Sequence, residues 1–174
     1  RGSTFRAFEH AKKAGLPIIF DIDYRAYSWP SAKAASDILT RAGEASDLIV
    51  GNDEEFGFMA GSYDEGLDKA RDLATQGKLV VFKMGEKGAI TFAEGKEIRT
   101  GIYPVTALKP NGAGDSFLAG LLASLANGFD LKQAVLRGSA CASIVVANPG
   151  CAPAIPDHSE LEAFLQTHDG PTPV

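Results

Sequence analysis

Three short apolar runs, separated from one another by helical patterns, constrain this chain more than any other feature. Pro17-Ile18-Ile19-Phe20-Asp21-Ile22, Asp47-Leu48-Ile49-Val50-Gly51 and Lys78-Leu79-Val80-Val81-Phe82-Lys83 lack the alternation of a strand with one wet face. They read as strands buried on both faces, the pattern of a parallel sheet covered by helices. The segments between them supply those helices. Residues 4–15 carry Phe5, Phe8 and Ala11 at helical spacing and stop at Gly15. Residues 31–45 follow Pro30 with Ser31 as N-cap. Residues 62–76 open on a Ser62-x-x-Glu65 capping box and close at Gly77. Further along, residues 89–92 and 98–103 read as shorter strands, the first reached through a turn whose glycines suit a hairpin. A helix over 112–127, a second from Asp130 to about Ala147, and a third opened by Asp157-x-x-Glu160 and ending near Thr167 complete the chain. No internal repeat interrupts this order. It predicts an α/β fold, a mostly parallel sheet sandwiched by helices with an antiparallel hairpin at one edge. Residues 1–167 belong to one domain on this reading, and 168–174 form a loose tail.

Composition bounds what such a fold can do. With 174 residues, 45% of them hydrophobic, the chain can bury a sizeable core. A formal charge of -5 without a basic stripe argues against a nucleic-acid surface. The longest apolar stretch, residues 140–147, is far short of a membrane span and fits a buried helix face. Cys141 and Cys151 are too few and too poorly spaced for a zinc site or a disulfide framework, so a reducing cytoplasm is the expected compartment. Cys141 reads as a buried small hydrophobe rather than a nucleophile. His10, His158 and His168 have no placed partner and receive no catalytic role. The start Arg1-Gly2-Ser3-Thr4 has neither Met nor a signal-peptide pattern, as expected of the interior of a longer protein.

Polar residues gather where the strands end, the edge at which open α/β sheets bind ligands. The first run leads into Asp21, Asp23, Tyr24 and Arg25, with Trp29 just beyond. This is either a site or a local Asp23–Arg25 surface ion pair of little worth. The second leads into Asn52-Asp53-Glu54-Glu55, which a helix dipole alone would favour and which could also hold a hydrated Mg²⁺. The third leads into Lys83-x-Gly85-x-x-Gly88. Last comes Lys109-Pro110-Asn111-Gly112-Ala113-Gly114-Asp115, a glycine-rich turn entering an apolar helix. Unpaired amides at such a helix start make an anion site, and Asp115 beside it could take a proton from an attacking hydroxyl. An anion cradle with an adjacent base describes phosphoryl transfer; the plainer reading is a helix cap with a dipole-favoured Asp. The stretch fits neither G-x-x-x-x-G-K-[ST] nor G-x-G-x-x-G, and without the latter a dinucleotide-binding oxidoreductase has no support. Taken together, the polar clusters are expected to converge on one crevice.

Lys109 to Asp115 followed by Ser116-Phe117-Leu118-Ala119-Gly120-Leu121-Leu122 resembles the C-terminal signature of the ribokinase-like (PfkB) carbohydrate kinases. The resemblance runs from Phe5 to about Leu165 and corresponds to the C-terminal half of a member, without the N-terminal half and its β-lid. It implies a ribokinase-like fold and transfer of the ATP γ-phosphate to a sugar hydroxyl. Asp115 would be the base, and the Gly112, Ala113 and Gly114 amides would stabilise charge on the moving phosphoryl group. Asn52 and Glu55 match the N-x-x-E motif that serves Mg²⁺. Lys83, Gly85 and Gly88 match a K-x-G-x-x-G turn at the nucleotide phosphates, and Asn148 and Gly150 fall in the loop that walls the adenine pocket. Asp21-x-Asp23-x-Arg25-x-x-x-Trp29 is similar to the D-x-N-x-R-x-x-L-W segment of keto-sugar-acid kinases, with Asp23 and Ser28 in place of Asn and Leu. It implies substrate contacts at Asp23 and Arg25.

Among branches of the family the chain looks most like the 5-dehydro-2-deoxygluconokinases of inositol catabolism, with 2-dehydro-3-deoxygluconokinase or fructokinase as alternatives. Lys109-Pro110 replaces the usual Asp-Thr and so removes oxygens associated with a monovalent-cation site. The Lys109 ammonium would supply positive charge there or bind an acidic sugar. The implied partners are a sugar and ATP with Mg²⁺, without nucleic acid or membrane; a homo-oligomer is compatible with the sequence. Without the other half, residues 1–174 are expected to bind ATP or ADP but to lack sugar kinase activity. A non-catalytic nucleotide-binding regulatory module is the reading from a different class.

Overall fold

The apolar runs become the first three strands of a five-stranded sheet whose spatial order is its sequence order. The first run, expected to be buried on both faces, is instead an edge strand with Ile19 exposed. β1 spans Ile19–Asp21, β2 Leu48–Asn52, β3 Leu79–Lys83, β4 Ala89–Ala93 and β5 Lys96–Thr100. The protein is described here from a computed structural model covering residues 2–174. β1 with β2 and β2 with β3 pair in parallel, placing Asp21 opposite Val50 and Asn52 opposite Lys83. β3 and β4 form the expected antiparallel hairpin, with Lys83 opposite Ala89. Ile49, Val80 and Ile90 are buried on one face of the sheet and Val50, Val81 and Thr91 on the other. Dry faces on both sides explain why these strands read as unbroken apolar runs.

Two compact units divide the chain. The first takes residues up to Gly85 and Ala89–Ile98; the second takes Glu86–Gly88 and Arg99–Val174. The first unit adds four helices to the sheet: α1 (Gly2–Lys13), α2 (Ala32–Ala45), α3 (Asp53–Ala60) and α4 (Gly66–Thr75). Ser31 caps α2 as its sequence position predicts, its hydroxyl accepting the Ala34 N–H at 3.1 Å. Ala35 and Leu39 of α2, Phe56 and Met59 of α3, and Ala70 and Leu73 of α4 join Ile49, Val80, Phe82 and Ile90 in one core. α1 buries none of its residues.

Three local expectations fall short in the first unit or at its border. The acidic run after β2 opens a helix, α3, for which the sequence reading offered a dipole-favoured start but no extent. The Ser62-x-x-Glu65 box does not form; Tyr63–Glu65 make a 3₁₀ turn, Ser62 caps nothing with its side chain, and α4 begins only at Gly66. Close packing explains the displacement. A Cβ at Gly66 would sit 2.8 Å from the Gly57 nitrogen, and Tyr63 is drawn aside to donate its hydroxyl to Asp53 Oδ2 at 2.6 Å. β5 ends at Thr100 rather than at Tyr103, and Gly101 faces the Thr172 carbonyl so closely that a Cβ would collide with it.

That carbonyl belongs to the segment expected to be loose. Thr172 donates its N–H to the Ile102 carbonyl at 2.8 Å and accepts the Ile102 N–H on Oγ1 at 3.0 Å. His168 stacks on Phe164 with centroids 3.8 Å apart. The tail is therefore held by backbone pairing that its Pro- and Gly-containing sequence does not announce.

The second unit is built on α5 (Ala113–Ala126), α6 (Leu131–Ala147) and α7 (His158–Thr167). α5 and α6 approach through small residues: a Cβ at Gly138 would lie 2.7 Å from the Phe117 carbonyl, and one at Gly120 2.7 Å from Cys141 Sγ. Arg137 ties the three helices together. Its Nε donates to Ser124 Oγ at 3.1 Å, its Nη2 to Glu162 Oε1 at 2.5 Å, and its guanidinium lies 4.3 Å from the Phe129 ring centre. Asp130 caps α6, and the Asp157–Glu160 capping box of α7 forms as read. Burial pushes the Cys141 thiol up to about 11, in keeping with a packing role. Among the described residues no helix is long and apolar enough to cross a membrane.

Candidate active site

In the first unit the parallel run of β1, β2 and β3 brings their C-terminal ends to one edge, and with them Asp23, Arg25, Asn52, Glu55 and Lys83. Asn52 is the N-cap of α3. Its Oδ1 accepts the Glu55 N–H at 2.8 Å, while Glu55 Oε2 accepts the Asn52 N–H at 2.8 Å. The Asn-x-x-Glu spacing is thus a capping box in its own right. The other Glu55 oxygen accepts the Tyr24 N–H at 3.3 Å. Glu55 is only 8% exposed. Burial raises its pKa above the usual carboxylate value, with Asp21 adding to the rise and the Asn52 amide and Lys83 charge opposing it.

The loop after β1 is wound tightly. Asp23 sits at φ 39°, a left-handed conformation unusual for a residue with a Cβ. Arg25 Nη2 lies 2.7 Å from Asp23 Oδ1, and its Nη1 donates to the Tyr24 carbonyl at 3.0 Å. Both side chains are more than half exposed, so the pair itself contributes at most about 1 kcal/mol. Tyr24 stacks on Phe58 of α3, centroids 4.0 Å apart. After β3, Gly85 turns the chain at φ 57° with open space where a Cβ would stand. Conformation rather than crowding demands glycine there.

In the second unit Gly112 is the N-cap of α5 at φ 85°. A Cβ there would lie 3.3 Å from Cys151 Cβ and 3.3 Å from Val145 Cγ1. The glycine turn is therefore packed against the end of α6 and the loop that holds Asn148 and Gly150. Ser116 makes the first helical bond, to the Gly112 carbonyl at 3.0 Å. Among the described residues the Gly114 and Asp115 amides have no backbone acceptor, and the Ala113 amide makes only a long turn bond of 3.4 Å to Pro110. Open amides at a helix start are the elements of an anion cradle. Asp115, in the first turn, is exposed. Lys109 Nζ donates to the Asn111 carbonyl at 3.1 Å, and the Leu108 N–H to the Val146 carbonyl at 2.8 Å, anchoring the turn's approach. Asn148 spends its side-chain amide on the Ile144 carbonyl at 2.9 Å. Gly88, at φ 83°, faces the Thr100 carbonyl where a Cβ would collide.

Phe58 is the residue at the first unit's edge that sequence reasoning passed over; Tyr24 falls in the polar cluster after β1 but receives no role from the sequence. The signal was present: a capping box at Asn52–Glu55 starts a helix, and Phe58 then follows Glu55 on the same face.

A profile of the pfkB family carbohydrate kinases matches residues 1–158. The chain belongs to that family. It is 36% identical over 173 residues to a Bacillus anthracis protein named 5-dehydro-2-deoxygluconokinase, an alignment covering 96% of this chain and 52% of that relative. The chain spans about half the length of the curated relatives it matches. Among solved structures it is similar to a fructokinase from Vibrio cholerae with fructose, ADP and calcium bound: 29% identity, TM-score 0.84, and coverage of 95% of this chain and 56% of the other. A ribokinase from Thermotoga maritima aligns at 25% identity and TM-score 0.75, covering 92% of this chain and 52% of the other. The fold is ribokinase-like, as the signature implies.

Proposed function

We propose that residues 1–167 are the nucleotide-binding part of an ATP-dependent kinase whose acceptor is a keto-sugar acid, 5-dehydro-2-deoxygluconate in the first instance. The observation that carries this reading is the start of α5, where open amides stand beside the exposed carboxylate of Asp115. The name of the Bacillus anthracis relative and the Asp23–Arg25 loop support the choice of acceptor.

In loose phosphoryl transfer, positioning and charge stabilisation matter most. The Gly112, Ala113 and Gly114 amides would neutralise charge growing on the transferred group, and Asp115 would accept the proton of the attacking hydroxyl. Lys83, Gly85, Gly88, Asn148 and Gly150 would contact the nucleotide. Asn52 and Glu55 fit a hydrated Mg²⁺. Each of their bonded oxygens accepts a single N–H and keeps a lone pair for a metal-bound water, and a nearby cation would offset the burial of Glu55. The ion would supply charge neutralisation at the phosphates. Lys109, on the carbonyl of Asn111, would place a fixed ammonium in the cradle turn.

The test is Asp115→Asn in the whole protein. The change is nearly isosteric and keeps the helix start, so kcat should fall about 10²–10⁴-fold with the ATP KM little changed. Circular dichroism and nucleotide titration accompany the kinetics. A variant that folds, binds ATP and turns over normally makes Asp115 only a helix-capping residue and overturns the catalytic assignment of this site.

A further inference from the structure

Tyr24 is gripped twice by α3. Its amide donates to Glu55 Oε1 at 3.3 Å, and its ring stacks on Phe58 at 4.0 Å with the planes 26° apart. Glu55 and Phe58, three residues apart, lie on one side of the helix. On either side of Tyr24 stand Asp23 and Arg25, which close on each other and on the Tyr24 carbonyl. The exposed pair is too weak to fix this loop, and the left-handed Asp23 costs about 1 kcal/mol against it. Backbone bonds hold the loop at its ends, from Ile22 to the Val50 carbonyl and from Ser28 to the Arg25 carbonyl, and Tyr24 ties its middle to α3.

We propose that Tyr24 is a positioning residue for the acceptor. Held by Glu55 and Phe58, it keeps Asp23 and Arg25 in the one arrangement that receives an anionic, hydroxylated ligand. Two guanidinium N–H groups are engaged inside the loop, which leaves others to meet a carboxylate. Asp23 offers acceptors to hydroxyls beside it. The inference rests on the reading of Asp23 and Arg25 as substrate contacts, and it makes α3 a determinant of acceptor binding as well as of the metal.

Trp29, the single tryptophan of the chain, reports on this loop without any need for turnover. It ends the 3₁₀ turn Ala26–Ser28 that follows Arg25 and packs against the core of the first unit. Tyr24→Leu and Phe58→Ala remove the stack, whereas Tyr24→Phe keeps it. In the 174-residue chain the first two should make Trp29 more open to acrylamide quenching, and Tyr24→Phe should restore the wild-type value. In the whole protein, assayed with the keto-sugar acid 5-keto-D-gluconate, the first two should raise the acceptor KM about 10-fold, short of the ~10²-fold that a 1 Å misplacement can cost. The ATP KM should stay within about twofold. Unchanged quenching overturns the proposal, as does an equal rise in both KM values. Arg25→Gln separates the premise from the inference. If it leaves the acceptor KM unchanged, the substrate reading of the loop fails. If it raises that KM while Tyr24→Leu does not, only the positioning role fails.

Discussion

At the scale of single residues, Glu55 shows how backbone N–H groups help a buried carboxylate, with the charge of Lys83 also opposing the cost of its burial. Backbone N–H groups of Asn52 and Tyr24 satisfy its two oxygens, yet desolvation still raises its pKa. The sign of the consequence follows from linkage. A carboxyl whose pKa is higher in the folded than in the unfolded chain binds its proton more readily when folded, so its contribution favours folding at low pH and is lost as pH rises through the folded value. Glu55→Gln lacks that titration. The wild type should therefore gain stability relative to Glu55→Gln as pH falls from 7 towards the ordinary carboxyl value of 4.5, measured by urea unfolding at several pH values. A gap between the two proteins that does not change with pH would remove the shift. Glu162 has the opposite sign: its hydrogen bond from Arg137 lowers its pKa, so its contribution weakens as pH falls through the folded value.

At the scale of elements, the α5–α6 contact sets two magnitudes against each other. On an open helix, Gly138→Ala would gain about 1 kcal/mol of helix propensity. Here the new methyl would stand 2.7 Å from the backbone carbonyl of Phe117, which cannot rotate away. Overpacking of that kind costs about 1–3 kcal/mol, so the net effect should be a destabilisation of up to about 2 kcal/mol, read as a lower denaturation midpoint. A midpoint that rises would mean the two helices can separate at no cost. The same contact shows what a sequence makes legible. The apolar stretch 140–147 marked a buried face of α6 in advance, and apolar runs marked β2 and β3, because burial leaves a trace in the sequence. α3 was given no extent because its acidic start was weighed against metal chemistry and its Asn52–Glu55 capping box was not recognised. Ser62-x-x-Glu65 misled in the other direction, since the approach of Gly57 to Gly66 involves residues distant in sequence and overrides a local cap. The anchoring role of Tyr24 went unread because its partners, Glu55 and Phe58, become neighbours only once β1 and β2 are paired.

At the scale of the whole molecule, family membership covers nearly all of this chain but only about half of the relatives it matches. What it can do by itself is then a question of which parts carry their own supports. The cradle turn at Gly112 and the loop after α6 are packed together within the second unit, and the approach to the turn is pinned to α6 by the Leu108 amide. Nucleotide phosphates should therefore find a preorganised helix start in the 174-residue chain. ADP present at about 100 times its dissociation constant stabilises the folded state by about 2.7 kcal/mol, equivalent to a 100-fold lower population of the open form. Amides in α5 and α6 that exchange only by opening of that unit should slow by about the same factor, as read by hydrogen exchange. Exchange in α5 and α6 that is unaffected by millimolar ADP in a folded sample would show that the open amides at Gly114 and Asp115 are only the unfinished end of a helix.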